Sequence, residues 1–331
     1  MRILVLGGTA FLSAEIARQA VAAGHAVTCL ARGTSASAPD GVTWVRADRA
    51  GGAAAFAGLG GPWDEVVEVS RDPVQARVAL DVLGKGARHW TFVSSCSVYA
   101  DHSVPGAAED AGVLEPLPEG EAGTPETYGE AKSAIEGMTL ESAGEKAHIV
   151  RAGLIGGPGD TSDRYGYWPA RFALNADPVL VPDTPELATQ IIDVRDLAAW
   201  ILRASGQGLA GTLNALGNVV PFKDYIAGSR RLAGATGAPV LVPEAWLVEH
   251  GVQHWAGPDS LPLWLPPGHE GFQARSNNAA LARGMVLRPW QDTLRDTLSD
   301  ERRKGLGRDR KAGLSPDTER RLVALFRAGA A

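Results

Sequence analysis

Tyr128 and Lys132 stand four residues apart, in Tyr128-Gly-Glu-Ala-Lys132. On a helix that spacing puts both side chains on one face. A phenol beside an ammonium is an acid ready for use, because the cation favours phenolate and draws the tyrosine pKa from about 10 toward neutrality. A hydroxyl able to bind the same oxygen stands at Ser95, in Ser94-Ser95-Cys96-Ser97. Tyr and Lys at this spacing are commonplace on solvated helices, so the pair acquires meaning only if the fold brings other chemistry to it.

That chemistry begins at the start of the chain. Ile3 to Leu6 is an apolar run short enough for a buried strand, and Gly7-Gly8-Thr9-Ala10-Phe11-Leu12-Ser13 follows at once. Ile16, Ala17, Ala20 and Val21 then recur at helical spacing until Gly24. Strand, glycine turn and helix open a mononucleotide-binding unit: Gly7 can turn with positive φ, and its missing Cβ lets a pyrophosphate approach the amides at the helix N-terminus. Residues 7–12 (Gly7, Gly8, Thr9, Ala10, Phe11 and Leu12) are therefore the candidate phosphate cradle. Small residues are wanted at three places, which Gly7, Ala10 and Ser13 occupy here.

Further strands are predicted at residues 25–30, 42–45, 65–69, 89–93 and 148–150. A short, poorly specified helix is expected over 50–61, one over 74–83, and one starting near Pro125 or Glu126 that carries Tyr128 and Lys132. Strands alternating with helices imply crossover units and a parallel sheet, so the fold class is α/β, a Rossmann-like doubly wound sheet. The carboxyl ends of such strands line one crevice, which gathers Gly7, Ser95 and Tyr128. Beyond Arg151 the alternation fades and Pro, Trp and Gly become dense. Residues 1–155 are thus read as the dinucleotide-binding domain. Residues 156–331 are mainly a smaller C-terminal substrate lobe with a terminal helix capped by Ser315-Pro316, and segments near 188–215 return to the first domain.

The composition narrows the partners. A net charge of −6 and a pI near 5.7 lack the basic face that a general nucleic-acid or anionic-membrane binder needs. With 331 residues, 45% of them hydrophobic, the chain can build a sizeable core, and no run suits a membrane span. The basic stretch 301–311 is interrupted by glycines and reads as a solvated linker. Cys29 and Cys96 lie in apolar runs, which predicts buried, inert thiols and a reducing compartment. The expectation is a cytoplasmic monomer or homodimer that binds a small molecule and holds no metal.

The ordered set formed by the glycine turn, Asp48 after the third strand, Ser94-Ser95-Cys96-Ser97-Val98-Tyr99, Tyr128-Gly-Glu-Ala-Lys132, Arg151-Ala-Gly-Leu-Ile-Gly-Gly157-Pro158 and Ile192-Asp193-Val-Arg-Asp196 resembles the extended short-chain dehydrogenase/reductase superfamily, also called NAD-dependent epimerase/dehydratases. The resemblance spans about the first 215 residues. It implies that Tyr128 is the catalytic acid/base, that Lys132 binds the nicotinamide ribose and tunes Tyr128, and that Ser95 polarises the substrate. Asp48 and Ser70 join the expected cofactor contacts. The sequence departs from the family at Ala10, at Ser13, at Ala152, where proline usually follows arginine, and at Val69-Ser70-Arg71. Where an aspartate would grip the adenosine ribose there is Arg32, and a guanidinium can bind a 2′-phosphate bidentately, which favours NADP(H), with NAD(H) possible.

The leading expectation is an oxidoreductase moving hydride to or from a carbonyl or alcohol carbon. The alternatives are an epimerase or dehydratase with a tightly held cofactor, and a non-catalytic nucleotide-sensing or RNA-binding member. Tyr165 or Trp168 is expected to border the substrate pocket, with Arg164 or Arg195 near a polar or anionic substituent. A small compound carrying a ring or an acidic group suits such a pocket.

Overall fold

The sheet at the centre of the molecule is buried on both faces, which is why its strands are continuous apolar runs. The computed structural model describes residues 1–34, 36–174 and 178–329. In order along the chain come β1 (Arg2–Leu6), α1 (Phe11–Ala22), β2 (Ala26–Leu30), β3 (Thr43–Val45), β4 (Glu65–Glu68), α2 (Pro73–Leu83), β5 (Trp90–Ser95), α3 (Tyr128–Ala143), β6 (Ala147–Ala152) and β7 (Leu154–Gly156). They are followed by α4 (Tyr167–Leu174), β8 (Leu180–Pro182), β9 (Ala188–Asp193), α5 (Val194–Gly206) and β10 (Gly211–Ala215). Seven strands pair in the order β10-β6-β5-β4-β1-β2-β3, all parallel. One face, carrying Ile3, Val5, Val67, Val93 and Val150, packs against α1 and α5. The other, carrying Leu4, Leu6, Val66, Phe92 and Ile149, packs against α2 and α3. This is the doubly wound sheet that the alternation of strands and helices requires.

Two local departures have simple causes. α3 begins at Tyr128 rather than at 125 or 126, because Thr124 N donates to Thr127 Oγ1 at 2.9 Å and Thr127 N to Thr124 Oγ1 at 3.2 Å, closing a turn ahead of the helix. The segment expected as a helix over 50–61 is a 3₁₀ helix, Arg49–Phe56, interrupted at Gly52, whose φ is 62°.

The C-terminal part adds β11 (Val219–Pro221), α6 (Phe222–Ala233), β12 (Val240–Val242), α7 (Glu244–Glu249), β13 (Gln253–Trp255), β14 (Ser260–Pro262), α8 (Asn278–Ala282), α9 (Trp290–Lys304) and α10 (Pro316–Gly329). Its own core is built on Trp168, Phe172, Phe222, Tyr225, Trp264 and Leu294. β9 pairs with β7 and β11 in a small separate sheet, and the chain then returns to the main sheet as its edge strand β10. Thr318 N donates to Ser315 Oγ at 3.1 Å, so Ser315 caps α10. Among the described residues no helix is long and apolar enough to cross a membrane. Cys29 and Cys96 are free and buried, and burial pushes both thiols up to about 12.

The amino ends of the central strands hold a buried polar cluster away from the crevice. His89 Nδ1 pairs with Glu65, and Nε2 meets the Leu209 carbonyl at 2.8 Å. His148 is 0% exposed, neither ring nitrogen has a partner among the described residues, and burial with the nearby His89 pushes its pKa down to about 3. Between that value and the ordinary 6.5 the unfolded chain binds a proton that the folded chain refuses, so His148 costs stability as pH falls below 6.5. His148→Phe is therefore expected to gain roughly 2 kcal/mol on the wild type between pH 8 and pH 5. Urea unfolding at both pH values measures this, and an unchanged difference would show that the ring is protonated when folded.

Candidate active site

Gly7 and Gly8 turn the chain with φ of 137° and 98°. A Cβ on Gly8 would lie 2.3 Å from Cys29 Sγ, so only glycine fits there. α1 then starts behind Ala10, an extended residue with no side-chain capping bond. Alanine therefore leaves the first helical amides and the positive end of the helix dipole for an anion. Ser13 also proves compatible, because its hydroxyl turns back to donate to Ala10 O at 2.8 Å and is buried against Gly7. Leu12 faces the core, while Phe11 packs beneath Gly159 of the loop after β7.

Beside this turn opens a cleft lined by Leu6, Gly7, Thr9, Arg32, Asp48 and Ser70, among others. Arg32 lies 3.9 Å from Asp48, both side chains being more than half exposed at 61% and 55%. Asp48 accepts from Ala50 N at 3.0 Å. The sequence reading passed over the residues that build the floor. Arg49 binds Glu68 through two bonds of 2.8 and 2.6 Å and also donates to Gln75 O, while Glu68 Oε1 holds Ser70 N at 2.8 Å. The available signal was two glutamates inside an apolar strand, since a buried carboxylate demands a partner. An uncapped helix, two obligatory glycines and a fixed cleft fit a dinucleotide.

Ser95 ends β5, with Ala152 as its register partner on β6. The Ser95 hydroxyl accepts from Ser97 N and donates to Ser97 Oγ, both at 3.1 Å. It also lies near enough to the phenol of Tyr128 to oppose the effect of burial on its pKa. Lys132, one helical turn on, is 2% exposed. Its Nζ donates to Ser70 O and Val93 O, each at 2.7 Å, and lies 4.7 Å from the Phe92 ring and 5.9 Å from the Tyr128 ring. The fold thus gathers Ser95, Tyr128, Lys132 and Ser70 beside the glycine turn.

Their electrostatics correct one expectation. Burial raises the Tyr128 pKa, and the groups opposing it are Ser95, Arg71 and Arg164 rather than Lys132. The ammonium is turned to two backbone carbonyls, and burial pushes its own pKa down to about 7, with Glu68 and Glu136 working the other way. Tyr128 therefore keeps its proton at neutral pH.

Three of the four expected substrate residues are engaged in other contacts. Tyr165 is 1% exposed, stacks on Tyr225 at 5.2 Å and lines a separate cavity of about 100 Å³ with Asp193, Arg288 and Trp290. Trp168 is 0% exposed, and its indole donates to Pro262 O at 2.7 Å in the lobe core. Arg195 opens α5 and is held by Asp193 at 2.7 Å and Asp296 at 2.6 Å. Rings this large bury where a small lobe most needs apolar volume, and Arg195 has carboxylates within reach on neighbouring elements. Arg164 is different: half-buried, it is coupled electrostatically to Tyr128.

Sheet order, glycine turn and crevice together define a Rossmann-like doubly wound α/β fold with a smaller C-terminal lobe. The chain is similar to a candidate epimerase from Burkholderia cenocepacia J2315, at 19% identity and a TM-score of 0.70 over 91% of this chain and 98% of that one. It is also similar to UDP-glucose 4-epimerase from Thermus thermophilus in complex with NAD, at 19% identity and a TM-score of 0.61 over 91% and 99%. UDP-glucuronic acid 4-epimerase from Bacillus cereus in complex with NAD gives 12% identity and a TM-score of 0.67 over 92% and 99%. No protein-family model matches the sequence, and no curated protein does.

Proposed function

We propose that the protein is a nicotinamide-dinucleotide oxidoreductase acting on a carbonyl or alcohol of a small molecule. The observation that carries this reading is the placing of Ser95 at the end of β5 and of Tyr128 and a buried Lys132 one turn apart on α3, with Lys132 bonded to Ser70 O beside the uncapped glycine turn. Gly7, Gly8, Thr9, Ala10 and the opening amides of α1 hold the pyrophosphate; Arg32 and Asp48 meet the adenosine half; Ser70 and Lys132 border the nicotinamide half. When bound, the nicotinamide supplies or accepts hydride at C4. Ser95 and Tyr128 bind the carbonyl oxygen, and Tyr128 gives it a proton, so that carbonyl, hydride and proton become an alcohol. A phenol that holds its proton favours the reductive direction.

The choice of dinucleotide rests on Arg32. A guanidinium with no partner among the described residues closer than Asp48 at 3.9 Å can turn to a 2′-phosphate, which supports NADP(H) as the tighter ligand. The NAD carried by the Thermus and Bacillus structures supports NAD(H) as a ligand as well. Titration of each dinucleotide tests this: both are expected to bind, and NADPH should lose its advantage in Arg32→Ala. Absence of binding by either at millimolar concentration overturns the reading.

The likeness to epimerases favours a second reading, in which the dinucleotide stays bound and the substrate undergoes no net redox change. The absorbance of reduced nicotinamide separates them, because a reductase consumes it in proportion to product.

A further inference from the structure

The loop from Gly157 to Arg164 carries a cation that the proposed chemistry leaves unused. The loop crosses the start of α1 at Gly159, where Gly159 N donates to Asp300 Oδ2 at 2.7 Å and Lys304 Nζ to Asp160 O at 2.6 Å. Asp163 is held in a left-handed conformation, φ 61°, by Arg308 and by Lys311 N at 2.9 Å, so the direction in which Arg164 leaves the loop is imposed. The Arg164 guanidinium lies over the Trp255 ring at 4.9 Å. Among the described residues it makes no hydrogen bond or ion pair; the nearby Asp160 carboxylate is instead bonded to Ser162 N at 2.7 Å and Ser162 Oγ at 3.0 Å. Trp255 meets Phe272 edge-on at 5.3 Å, and Phe272 meets His102 at 4.9 Å. All three rings are half-buried.

A half-buried guanidinium stacked on indole keeps its N–H edge for a planar anion, and carboxylate is the group that edge matches bidentately. Arg164 and Tyr128 feel each other's charge, so an anion held there lies within electrostatic range of the reacting oxygen. We infer that Arg164 binds a carboxylate of the substrate while Trp255, Phe272 and His102 wall its flat body, which makes the substrate a flat or aromatic carbonyl acid with the acid near the carbonyl. This deepens the oxidoreductase reading and rests on it for the reacting carbonyl, but the anion site stands on its own geometry.

The probes are benzoylformate and its methyl ester, titrated calorimetrically into the full-length protein with and without saturating oxidised dinucleotide. The acid is expected to bind at least about tenfold more tightly than the ester. Arg164→Met should bring that ratio to about one, with the unfolding midpoint and dinucleotide affinity unchanged, and Arg164→Lys should keep part of it. A ratio near one in the wild type, a ratio untouched in Arg164→Met, or no binding of the acid overturns the inference. So does a result in which UDP, and not the acid, loses its binding in Arg164→Met, since that marks a diphosphate site. Failure of the oxidoreductase reading is seen separately, as absent dinucleotide binding, because the acid-to-ester ratio is also read on the dinucleotide-free protein.

Discussion

Tyr128→Phe should lower kcat about 10²- to 10⁴-fold on any carbonyl that the wild type reduces, while the unfolding midpoint and dinucleotide affinity stay the same. The substitution removes one oxygen from a half-buried position at the first turn of α3. It strands no partner, because the Ser95 hydroxyl retains Ser97 N and Ser97 Oγ, both at 3.1 Å. What disappears is the proton donor, which burial keeps protonated at neutral pH. Because that pKa is raised, alcohol oxidation, which needs the phenolate as base, should accelerate as pH rises, whereas reduction should not. Steady-state rates in both directions check this. A Tyr128→Phe protein retaining more than about a tenth of wild-type activity would remove Tyr128 from the mechanism.

The parts of this arrangement that follow from local rules were legible in the sequence. Ile3–Leu6 before Gly7 and Gly8 could only be a strand entering a tight turn, and the spacing of Tyr128 and Lys132 fixed their common helix face. Strand alternation placed Ser95 at the same end of the sheet as Gly7. Other features depend on contacts between segments far apart in the chain, and no spacing rule reaches them. Arg49 meets Glu68 across nineteen residues, and Lys132 finds the Val93 carbonyl across thirty-nine. The inward turn of Trp168 follows from the demand of the lobe core for volume, which competes with any pocket for the same ring. Lys132 shows the limit well: its position on the helix was readable, yet the direction of its ammonium depends on two carbonyls, Ser70 O and Val93 O, that lie far from it in the chain.

That direction yields a pH signature separable from catalysis. Folded Lys132 gives up its proton near pH 7, against an ordinary value of 10.5, because burial penalises the cation. Below pH 7 both folded and unfolded chains hold the proton, and the cost of burying it is fully present. Between the two values the unfolded chain binds one proton more, so wild-type stability rises with pH by up to about 1.4 kcal/mol per unit. Lys132→Met has no such slope. Losing the ammonium also leaves Ser70 O and Val93 O without their donor, at a cost of about 1–3 kcal/mol each, but that penalty does not vary with pH. The stability of the wild type relative to Lys132→Met is therefore expected to grow by roughly 2 kcal/mol from pH 7 to pH 9. Urea unfolding of both proteins across that range reads the difference, in which the titration of every other group cancels. Parallel curves would mean that Lys132 stays charged through pH 9, held by its two carbonyls and by Glu68 and Glu136. A growing difference should coincide with reductase activity that falls as pH rises through about 7, where the site loses its cation.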